Sequence, residues 1–392
     1  MRTISILAML GGILGVVATH ASCYSTNCER TETCPSLFSE QVPDTDAEGG
    51  PSEKIYMVST LAGTGEAGGW DGPGSEATFY YPYGIAIGPD GILYVADTFN
   101  NRIRKIAADG EVSTLAGTGD EGLTNGPCAT ATFNSPRGID VDAAGNIYVA
   151  DDFNNAIRKI TPSPTCQVIT LAGAGPDNPG AGDSWGTFAT FYSPAGLTVD
   201  ALGNVYVADT NNNKIREVTS EGKVTTIAGT GIPDHIDGST LSSTFYGPTG
   251  IVVDATGTLY VADCINNNIR KIMTNGEVIT LAGSGAAGLI DSTGADAAFN
   301  IPVGITIDAN GNLFVSDTFN NVVRKVTPDG VVTTIAGQRE AYTNKGVMGD
   351  TDGPSDTATF NSLSGVAVDT NGVIYVADTG NNKIRKIAPV PQ

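Results

Sequence analysis

Histidine is scarce in this 392-residue sequence, which contains only His20, close to the N-terminus, and His235. Cysteine is also sparse, with six residues, and aromatic residues make up only 7% of the chain. With so few imidazoles, no Ser/His/Asp or Cys/His arrangement for nucleophilic catalysis can be assembled. We therefore assign no catalytic residue from the sequence.

Acidic residues outnumber basic residues two to one, since the chain contains 42 Asp and Glu but only 21 Lys and Arg. The resulting net charge of −21 at pH 7 repels phosphate backbones. We therefore expect no nucleic acid among the partners.

Helical periodicity is absent, because no window of about 12 residues carries a sustained 3.6-residue apolar pattern. The chain instead contains 50 Gly and 20 Pro, with short apolar runs such as "LYVAD" at Leu93–Asp97. This composition predicts many short strands joined by turns, and hence an all-β fold.

The first 22 residues are typical of a targeting segment. Arg2 is followed by an uncharged apolar run that is shorter than the roughly 20 residues needed to cross a bilayer. We therefore predict a signal peptide over residues 1–22. The end of this segment resembles a bacterial lipoprotein signal in which Cys23 would be lipidated, but His20 stands where an aliphatic residue is usual. The protein is thus predicted to be exported, either as an envelope lipoprotein anchored through Cys23 or as a secreted protein.

Residues 23–54 are polar and without pattern, which predicts a flexible tether. Cys28 and Cys34 lie close together in it and could pair in an oxidising compartment. The remaining cysteines fall at unrelated points of the sequence pattern described next, and we expect these to be unpaired: Cys128, Cys166 and Cys264.

One phrase, "NNRIRK" at residues 100–105, returns five more times with small changes. Each copy follows an Asp that closes a "VAD" or "VSD" triplet, and these Asp residues are 54 to 61 positions apart. Self-similarity at this period, with only strand signals inside it, predicts a propeller.

One repeat contains four apolar runs, at Gly84–Gly88, Ile92–Asp97, Arg102–Ile106 and Glu111–Gly117 in the first copy. Short turn-rich segments connect the runs, which favours antiparallel hairpins. We therefore predict six four-stranded blades over residues 55–392. Since consecutive residues are apolar, each sheet is expected to be covered on both faces.

The last repeat ends without its fourth strand, and a spare copy, Ile55–Gly65, precedes the first repeat. The N-terminal strand is therefore expected to complete the last blade and close the ring, which would hide two sheet edges.

The repeat, with its Asn-Asn-x-Ile or Asn-Asn-x-Val motif, resembles the NHL-repeat family, named for an Asn-His-Leu motif. The resemblance extends over about residues 55–388 and is greatest to bacterial envelope proteins with NHL repeats. It implies a six-bladed propeller but no particular function.

In every repeat an Arg follows the triplet Asp by seven residues, and we interpret each pair as a structural ion pair across a hairpin. The two Asn residues between them are suited to a left-handed turn. The pairs are Asp97/Arg104, Asp151/Arg158, Asp209/Arg216, Asp263/Arg270, Asp317/Arg324 and Asp378/Arg385.

A second set of acidic or amide residues occurs once in each loop that enters a blade. We consider two interpretations, an Asx-Gly turn and a carboxylate rim that attracts a cation such as Ca²⁺. No metal site or cofactor is predicted. The set comprises Asp71, Asn125, Asp183, Asp237, Asp291 and Asp352. A third set ends five inner strands and is expected to cap turns: Asp142, Asp200, Asp254, Asp308 and Asp369.

One position differs in every repeat, between a Pro (Leu363 in the last copy) and a Gly whose roles we attribute to a fixed φ and a turn. We expect its side chains to point toward the mouth of the channel, on the face bearing the long acidic loops. It is occupied by Tyr83, Arg137, Ala195, Thr249, Val303 and Ser364. We predict ligand contact at Tyr83, Arg137 and Thr249.

These features favour an exported, non-catalytic binding or interaction module, expected to be monomeric, for a protein or carbohydrate ligand. Membrane contact is expected only through a lipid anchor. The alternative is a channel-centred lyase or lactonase, because related six-bladed propellers include such enzymes, some of them Ca²⁺-dependent. Near-identical inner strands, such as "GIAIG" and "GIVVD", favour the scaffold.

Overall fold

The computed structural model describes residues 55–161, 165–340, 343 and 345–390. The predictions for the signal peptide (1–22), the tether (23–54), Cys23 and the Cys28–Cys34 pair lie outside the described residues.

Six antiparallel sheets form the blades of a propeller, as predicted. The chain begins with β1 (Tyr56–Ala62), which belongs to the last blade. Blade 1 follows with β2 (Pro82–Ile87), β3 (Leu93–Asp97), β4 (Arg102–Ile106) and β5 (Val112–Ala116). Blade 2 has an outer strand β6 (Gly126–Pro127), then β7 (Pro136–Val141), β8 (Ile147–Asp151), β9 (Ala156–Thr161) and β10 (Gln167–Ala172).

The remaining blades repeat this order. Blade 3 contains β11 (Pro194–Val199), β12 (Val205–Asp209), β13 (Lys214–Val218) and β14 (Val224–Ala228). Blade 4 contains the outer β15 (Gly238–Ser239), β16 (Pro248–Val253), β17 (Leu259–Asp263), β18 (Asn268–Ile272) and β19 (Glu277–Ala282). Blade 5 contains β20 (Pro302–Ile307), β21 (Leu313–Asp317), β22 (Val322–Val326) and β23 (Val332–Ala336). Blade 6 contains the outer β24 (Gly353–Pro354), β25 (Val366–Val368), β26 (Ile374–Asp378), β27 (Lys383–Pro389) and β1.

Three blades therefore have five strands rather than the four that we predicted. The extra strands, β6, β15 and β24, are two-residue segments of the long connections between blades, and each pairs with the fourth strand of its sheet. They begin at positive-φ glycines followed by Pro or Ser, which carries little strand signal.

All helices in the described residues are three-residue 3₁₀ helices, and none is long and apolar enough to cross a membrane. Five of them follow the second strand of a blade and two lie in connections. They span Thr98–Asn100, Asp152–Asn154, Gly186–Phe188, Thr210–Asn212, Gly294–Asp296, Thr318–Asn320 and Thr379–Asn381.

The ring is closed by the N-terminal strand, which confirms the prediction. β1 pairs antiparallel with β27, from Tyr56 opposite Pro389 to Thr60 opposite Arg385, and after a one-residue shift in register Ala62 lies opposite Ile384. At the inner end of the same junction, the Gly365 amide of blade 6 donates to the Tyr83 carbonyl of blade 1 at 2.8 Å.

The hydrophobic core lies between neighbouring sheets. One cluster, for example, joins Ala86 and Ala96 of blade 1 to Val149 and Ile160 of blade 2 around the buried Phe133. Because each sheet is covered on both faces, consecutive residues of β3 such as Val95 and Ala96 are fully buried. This explains the uninterrupted apolar runs of the repeat.

All inner strands begin on one side of the ring, which we call the entry face. In blade 1, Pro82 at the start of β2 pairs with Asp97 at the end of β3, so the Thr98–Asn101 turn lies on this face too. The turn between the first two strands of each blade lies on the opposite side, the exit face.

Candidate functional site

The repeat arginines are fully buried and hold each blade to the loop that enters it. In blade 1, Nη1 of Arg104 donates to Asp97 Oδ2 at 2.6 Å and to the Thr78 carbonyl at 3.0 Å. Its Nη2 donates to the Trp70 carbonyl and to Asp71 Oδ1, and the guanidinium lies over the Phe79 ring at 5.2 Å. The Phe of the repeat is thus a cation–π partner of the arginine.

The structure brings the Asp and Arg of every predicted pair together, with both side chains fully buried and separations of 2.6–2.8 Å. The six contacts are Asp97–Arg104, Asp151–Arg158, Asp209–Arg216, Asp263–Arg270, Asp317–Arg324 and Asp378–Arg385.

Each repeat arginine has two polar side-chain partners rather than the single one that we predicted. Arg270 lies 2.8 Å from Asp263 of its own blade and 2.7 Å from Asp237 of the entering loop. Arg385 lies 2.6 Å from Asp378 and 2.6 Å from Asp352. Each predicted hairpin pair is therefore one half of a larger cluster, which the loop completes.

The second acidic set supplies this additional partner throughout. Asp71 and its five counterparts each accept a hydrogen bond from Nη2 of the repeat Arg, 33 residues further along. Each also accepts from a Thr hydroxyl of the fourth strand, such as that of Thr114 in blade 1. Neither of our two interpretations, an Asx-Gly turn or a cation rim, anticipated this role. The residues reach the arginines across a loop, which spacing alone does not reveal.

The Asp that closes the second strand of each blade accepts hydrogen bonds from several donors besides the repeat Arg. Asp97 accepts from the Tyr80 amide and from Asn100 as well as from Arg104. Burial raises the pKa of the Asp97 carboxyl to about 6, against the opposing effect of the Arg104 guanidinium. The geometry is that of a structural ion pair.

The third acidic set lies in the first hairpin turn of blades 2 to 6, on the exit face. Asp142 Oδ1, for example, accepts from the amides of Ala144 and Asn146. Asp200, Asp254, Asp308 and Asp369 make the same pair of bonds. These residues cap turns.

The two Asn residues of the motif have different partners. In blade 1, Asn100 Nδ2 donates to Asp97 and to the Gly68 carbonyl of the entering loop. Asn101 has φ 51°, and its Oδ1 accepts from the Ser135 amide of blade 2. The same amide bond is made in every blade, up to Asn382, which accepts from Tyr81. The second Asn therefore joins each blade to the next.

The glycines after the variable position form a ring around the channel. A Cβ on Gly84 would lie 2.1 Å from the Arg137 carbonyl oxygen, and one on Gly196 would lie 2.0 Å from that of Thr249. None of the six has positive φ, so our attribution of this Gly to a turn was wrong. The position requires Gly because the backbone of the next blade approaches too closely to leave room for a Cβ.

Cys128 and Cys166 form a disulfide, so the prediction that they are unpaired was wrong. Cys128 follows β6 and Cys166 precedes β10, and the Cys128 amide donates to the Cys166 carbonyl at 3.1 Å. The pairing of the outer strand with its blade brings the two Cα atoms to 5.4 Å, within disulfide reach. Cys264 is buried in blade 4 at a position that holds Thr in four other blades.

The entry mouth of the channel is where the sixfold symmetry is broken. A cavity of about 70 Å³ is lined by Tyr83, Ala195, Thr249 and Val303 together with the glycine ring. Arg137 is buried beside it, with its guanidinium 5.3 Å from the centre of the Tyr83 ring.

Arg137 is held by a carboxylate that occurs in one blade only. Its Nε lies 2.9 Å from Asp152 Oδ2, and Asp152 also accepts from the Ser193 hydroxyl of blade 3. In four other blades a Thr occupies the position of Asp152 and donates to the next blade, as Thr98 does to the Pro136 carbonyl at 2.7 Å. Burial raises the pKa of Asp152, against the opposing effects of Arg137 and the Ser193 hydroxyl.

Of the three residues that we predicted to touch a ligand, the structure brings Tyr83 and Arg137 together. Thr249 lines the same cavity but is buried, and its hydroxyl donates to the Val303 carbonyl at 3.2 Å. Ligand contact at all three residues stays a prediction.

Asp140 in the exit half of the channel escaped the sequence analysis. It lines a cavity of about 210 Å³ and accepts hydrogen bonds from the Thr198 hydroxyl and the Val199 amide of blade 3. Burial raises its pKa. The signal was present, since "GIDVD" places Asp where the other inner strands have Ala, Thr or Val. Asp140 and Arg137 both belong to β7, so blade 2 contributes an asymmetric charge to each half of the channel.

Among the described residues, no three His, Cys, Asp or Glu side chains are grouped so that they could hold a metal ion. His235 lies in the connection before β15 with its side chain 75% exposed, next to Asp234. The described part of the channel lining contains no histidine.

The fold and the repeated buried Asp–Arg pair define a six-bladed β-propeller with one asymmetric channel. The NHL-repeat family model matches residues 79–106, 133–158, 191–217, 245–272 and 360–387. The chain therefore belongs to the NHL-repeat proteins. Blade 5 lies outside the five matches, yet it contains the same buried ion pair, Asp317 and Arg324.

Two proteins of known name are similar to this chain in sequence. The chain is 30% identical over 289 residues to Protein SUPPRESSOR OF QUENCHING 1, chloroplastic, of Arabidopsis thaliana, covering 70% of this chain and 27% of that protein. It is 27% identical over 332 residues to human NHL repeat-containing protein 2, covering 75% of this chain and 44% of that protein. The chain thus spans less than half the length of both relatives.

Two solved structures share the fold at low identity. An auxiliary nutrient binding protein from Bacteroides thetaiotaomicron has a TM-score of 0.63 at 19% identity, over 86% of this chain and 77% of that one. A streptogramin B lyase has a TM-score of 0.53 at 17% identity, over 86% of this chain and 98% of that one. At these identities the similarity shows the fold alone.

Proposed function

We propose that the protein is a non-catalytic, extracytoplasmic binding module whose ligand contacts Tyr83 at the entry mouth. The observation that carries the proposal is the Tyr83–Arg137–Asp152 assembly. In four other blades, a Thr hydroxyl at the position of Asp152 donates to a carbonyl of the next blade instead. A specific site on a sixfold scaffold requires such a difference between blades. Binding pockets typically combine apolar walls with a few placed polar groups, as here.

Export is supported by the Cys128–Cys166 disulfide, since disulfides persist in oxidising compartments. A signal peptide over residues 1–22 and either lipidation at Cys23 or secretion complete this part of the proposal. The structural likeness to an auxiliary nutrient binding protein is consistent with a binding role.

The lyase or lactonase alternative, with or without Ca²⁺, is supported by fold similarity alone. The described channel residues supply one carboxylate in the exit half, Asp140, and it is already bonded to Thr198 and Val199. We therefore favour binding over catalysis.

The test is a Tyr83→Ala variant in a ligand screen of peptides and oligosaccharides by calorimetry. We expect the affinity for any ligand found to fall about tenfold or more, because an anchoring aromatic is removed. Phe188→Ala is the matched control, since Phe188 is an aromatic residue that is 83% exposed in the connection entering blade 3. Arg137→Ala is unsuitable alone, because it leaves Asp152 buried without its cation. Equal affinity of Tyr83→Ala and wild type, with equal melting temperatures, would place the ligand elsewhere.

A further inference from the structure

The entry face carries a set of six residue pairs around the channel mouth, which we call the mouth ring. In each blade, a residue of the turn after the second strand donates its amide to the carbonyl of the residue that follows the repeat Phe, at 2.9–3.2 Å. The bond fixes the two residues of a pair side by side. The pairs are Tyr80/Phe99, Asn134/Phe153, Tyr192/Asn211, Tyr246/Ile265, Asn300/Phe319 and Asn361/Gly380.

The mouth ring consists of aromatic and amide side chains, with one Ile and one Gly. All twelve residues are at least partly exposed. Tyr80, Tyr192, Tyr246 and Phe319 are each 40–46% exposed. Grouped exposed apolar side chains rimmed by polar residues are typical of binding surfaces. In blade 1 the surface is extended by Tyr81, whose ring stacks on Phe99 at 4.8 Å.

The mouth ring is also free of charge, in a molecule that carries −21. Ten of the twelve segments that build it contain no charged residue, and the other two contain Arg137 and Asp152, which neutralise each other at 2.9 Å. The segments are 79–83, 133–137, 191–195, 245–249, 299–303 and 360–364, with the turns 98–101, 152–155, 210–213, 264–267, 318–321 and 379–382.

Aromatic faces beside amides suit a particular ligand chemistry. An aromatic ring offers a flat apolar face to the C–H surface of a sugar ring, while Asn provides two donors and an acceptor for hydroxyl groups. The absence of charge provides no attraction for uronic acids, phosphates or charged peptides, and the acidic surroundings repel anions.

We propose that the mouth ring binds a neutral oligosaccharide that extends across several blades, an inference that rests on the proposed binding function and specifies its ligand. Five of the six pairs contain an aromatic residue, so successive sugar units have successive stacking positions. Blade 6, with Asn361 and Gly380, is the one pair without an aromatic residue. Tyr83, half-buried at the mouth, would contact the sugar nearest the channel.

The experiment measures affinity by calorimetry for neutral oligomers of glucose, mannose, galactose and xylose. Polygalacturonate oligomers of matched length and an acidic and a basic peptide form the other arms. We expect at least one neutral oligomer to bind, with its affinity reduced about tenfold in Tyr246→Ala and in Phe319→Ala. Both side chains are exposed, so both variants should keep the wild-type melting temperature.

Trp185→Ala is the control, because Trp185 is 56% exposed and bridges to Lys223 at the outer edge of blade 3, away from the mouth ring. Its affinity should match wild type. Binding of an acidic polymer or a peptide that depends on Tyr83 would overturn the neutral-oligosaccharide assignment and leave the binding function standing. Neutral binding that is unaffected by Tyr246→Ala and Phe319→Ala would overturn the mouth ring as its site. Failure of every probe to bind would overturn both proposals.

Discussion

At the scale of single residues, the fold depends on a buried cation repeated six times. Each repeat Arg is fully buried and contacts an Asp of its own blade, a second carboxylate or amide in the entering loop, and a Phe ring. A buried ion pair adds little stability relative to apolar residues, but removing one partner is costly because the other is left charged in a low dielectric.

We predict that Arg216→Ala lowers the free energy of unfolding by about 3–5 kcal/mol, because Asp209 would lose its cation in a fully buried site. Chemical denaturation followed by circular dichroism measures this. Asp183→Asn is the matched variant, since blade 2 naturally holds Arg158 with Asn125, at 3.0 Å. It should cost less than about 1 kcal/mol. Similar losses of unfolding free energy in both variants would contradict the difference that we assign between the buried partner, Asp209, and the partly exposed partner, Asp183.

The close backbone contacts of the glycine ring allow a second stability prediction. Gly196→Ala should destabilise the protein by at least about 2 kcal/mol, because its Cβ would meet the Thr249 carbonyl oxygen at 2.0 Å. Gly288→Ala is the control, since its nearest neighbour is the Ala298 methyl at 3.2 Å. Neither glycine has positive φ, so the comparison isolates packing from backbone strain. Equal unfolding midpoints would show that the inner strands can separate at low cost.

At the scale of elements, β1 is the component that joins the two ends of the ring. It pairs with β27 over its length and receives β24 on its other edge. Asp352, in the connection to blade 6, also accepts from the Thr60 amide at 2.9 Å.

Deletion of residues 55–65 should therefore lower the melting temperature much more than deletion of residues 24–54. The first deletion removes a paired strand and exposes the edge of β27. Differential scanning calorimetry of the two variants checks this. Equal melting temperatures would mean that an open ring is as stable as a closed one, against the closure assigned to β1.

At the scale of the whole molecule, the charge distribution argues against nucleic acid. Six of the 21 basic residues are the buried repeat arginines, while the outer loops retain many carboxylates. We predict no measurable binding to duplex DNA or RNA at physiological salt. Fluorescence anisotropy with a labelled random oligonucleotide is the measurement. Binding that strengthens as ionic strength falls would count against the prediction.

The sequence determined the architecture because each blade repeats the same local signals. The Asp–Asn–Asn–Arg phrase, the paired hairpins and the spare strand at 55–65 are all visible within one repeat or by comparing repeats. Period and composition therefore sufficed for the number of blades and the closure.

The tertiary structure decided what happens between segments. The contact of Arg104 with Asp71 joins residues 33 apart, the approach of Gly84 to Arg137 joins two blades, and the Cys128–Cys166 disulfide depends on an outer strand with little sequence signal. The mouth ring likewise appears only when six turns are placed around one axis. Such contacts depend on blade-to-blade packing, a geometry to which spacing along the chain gives no access.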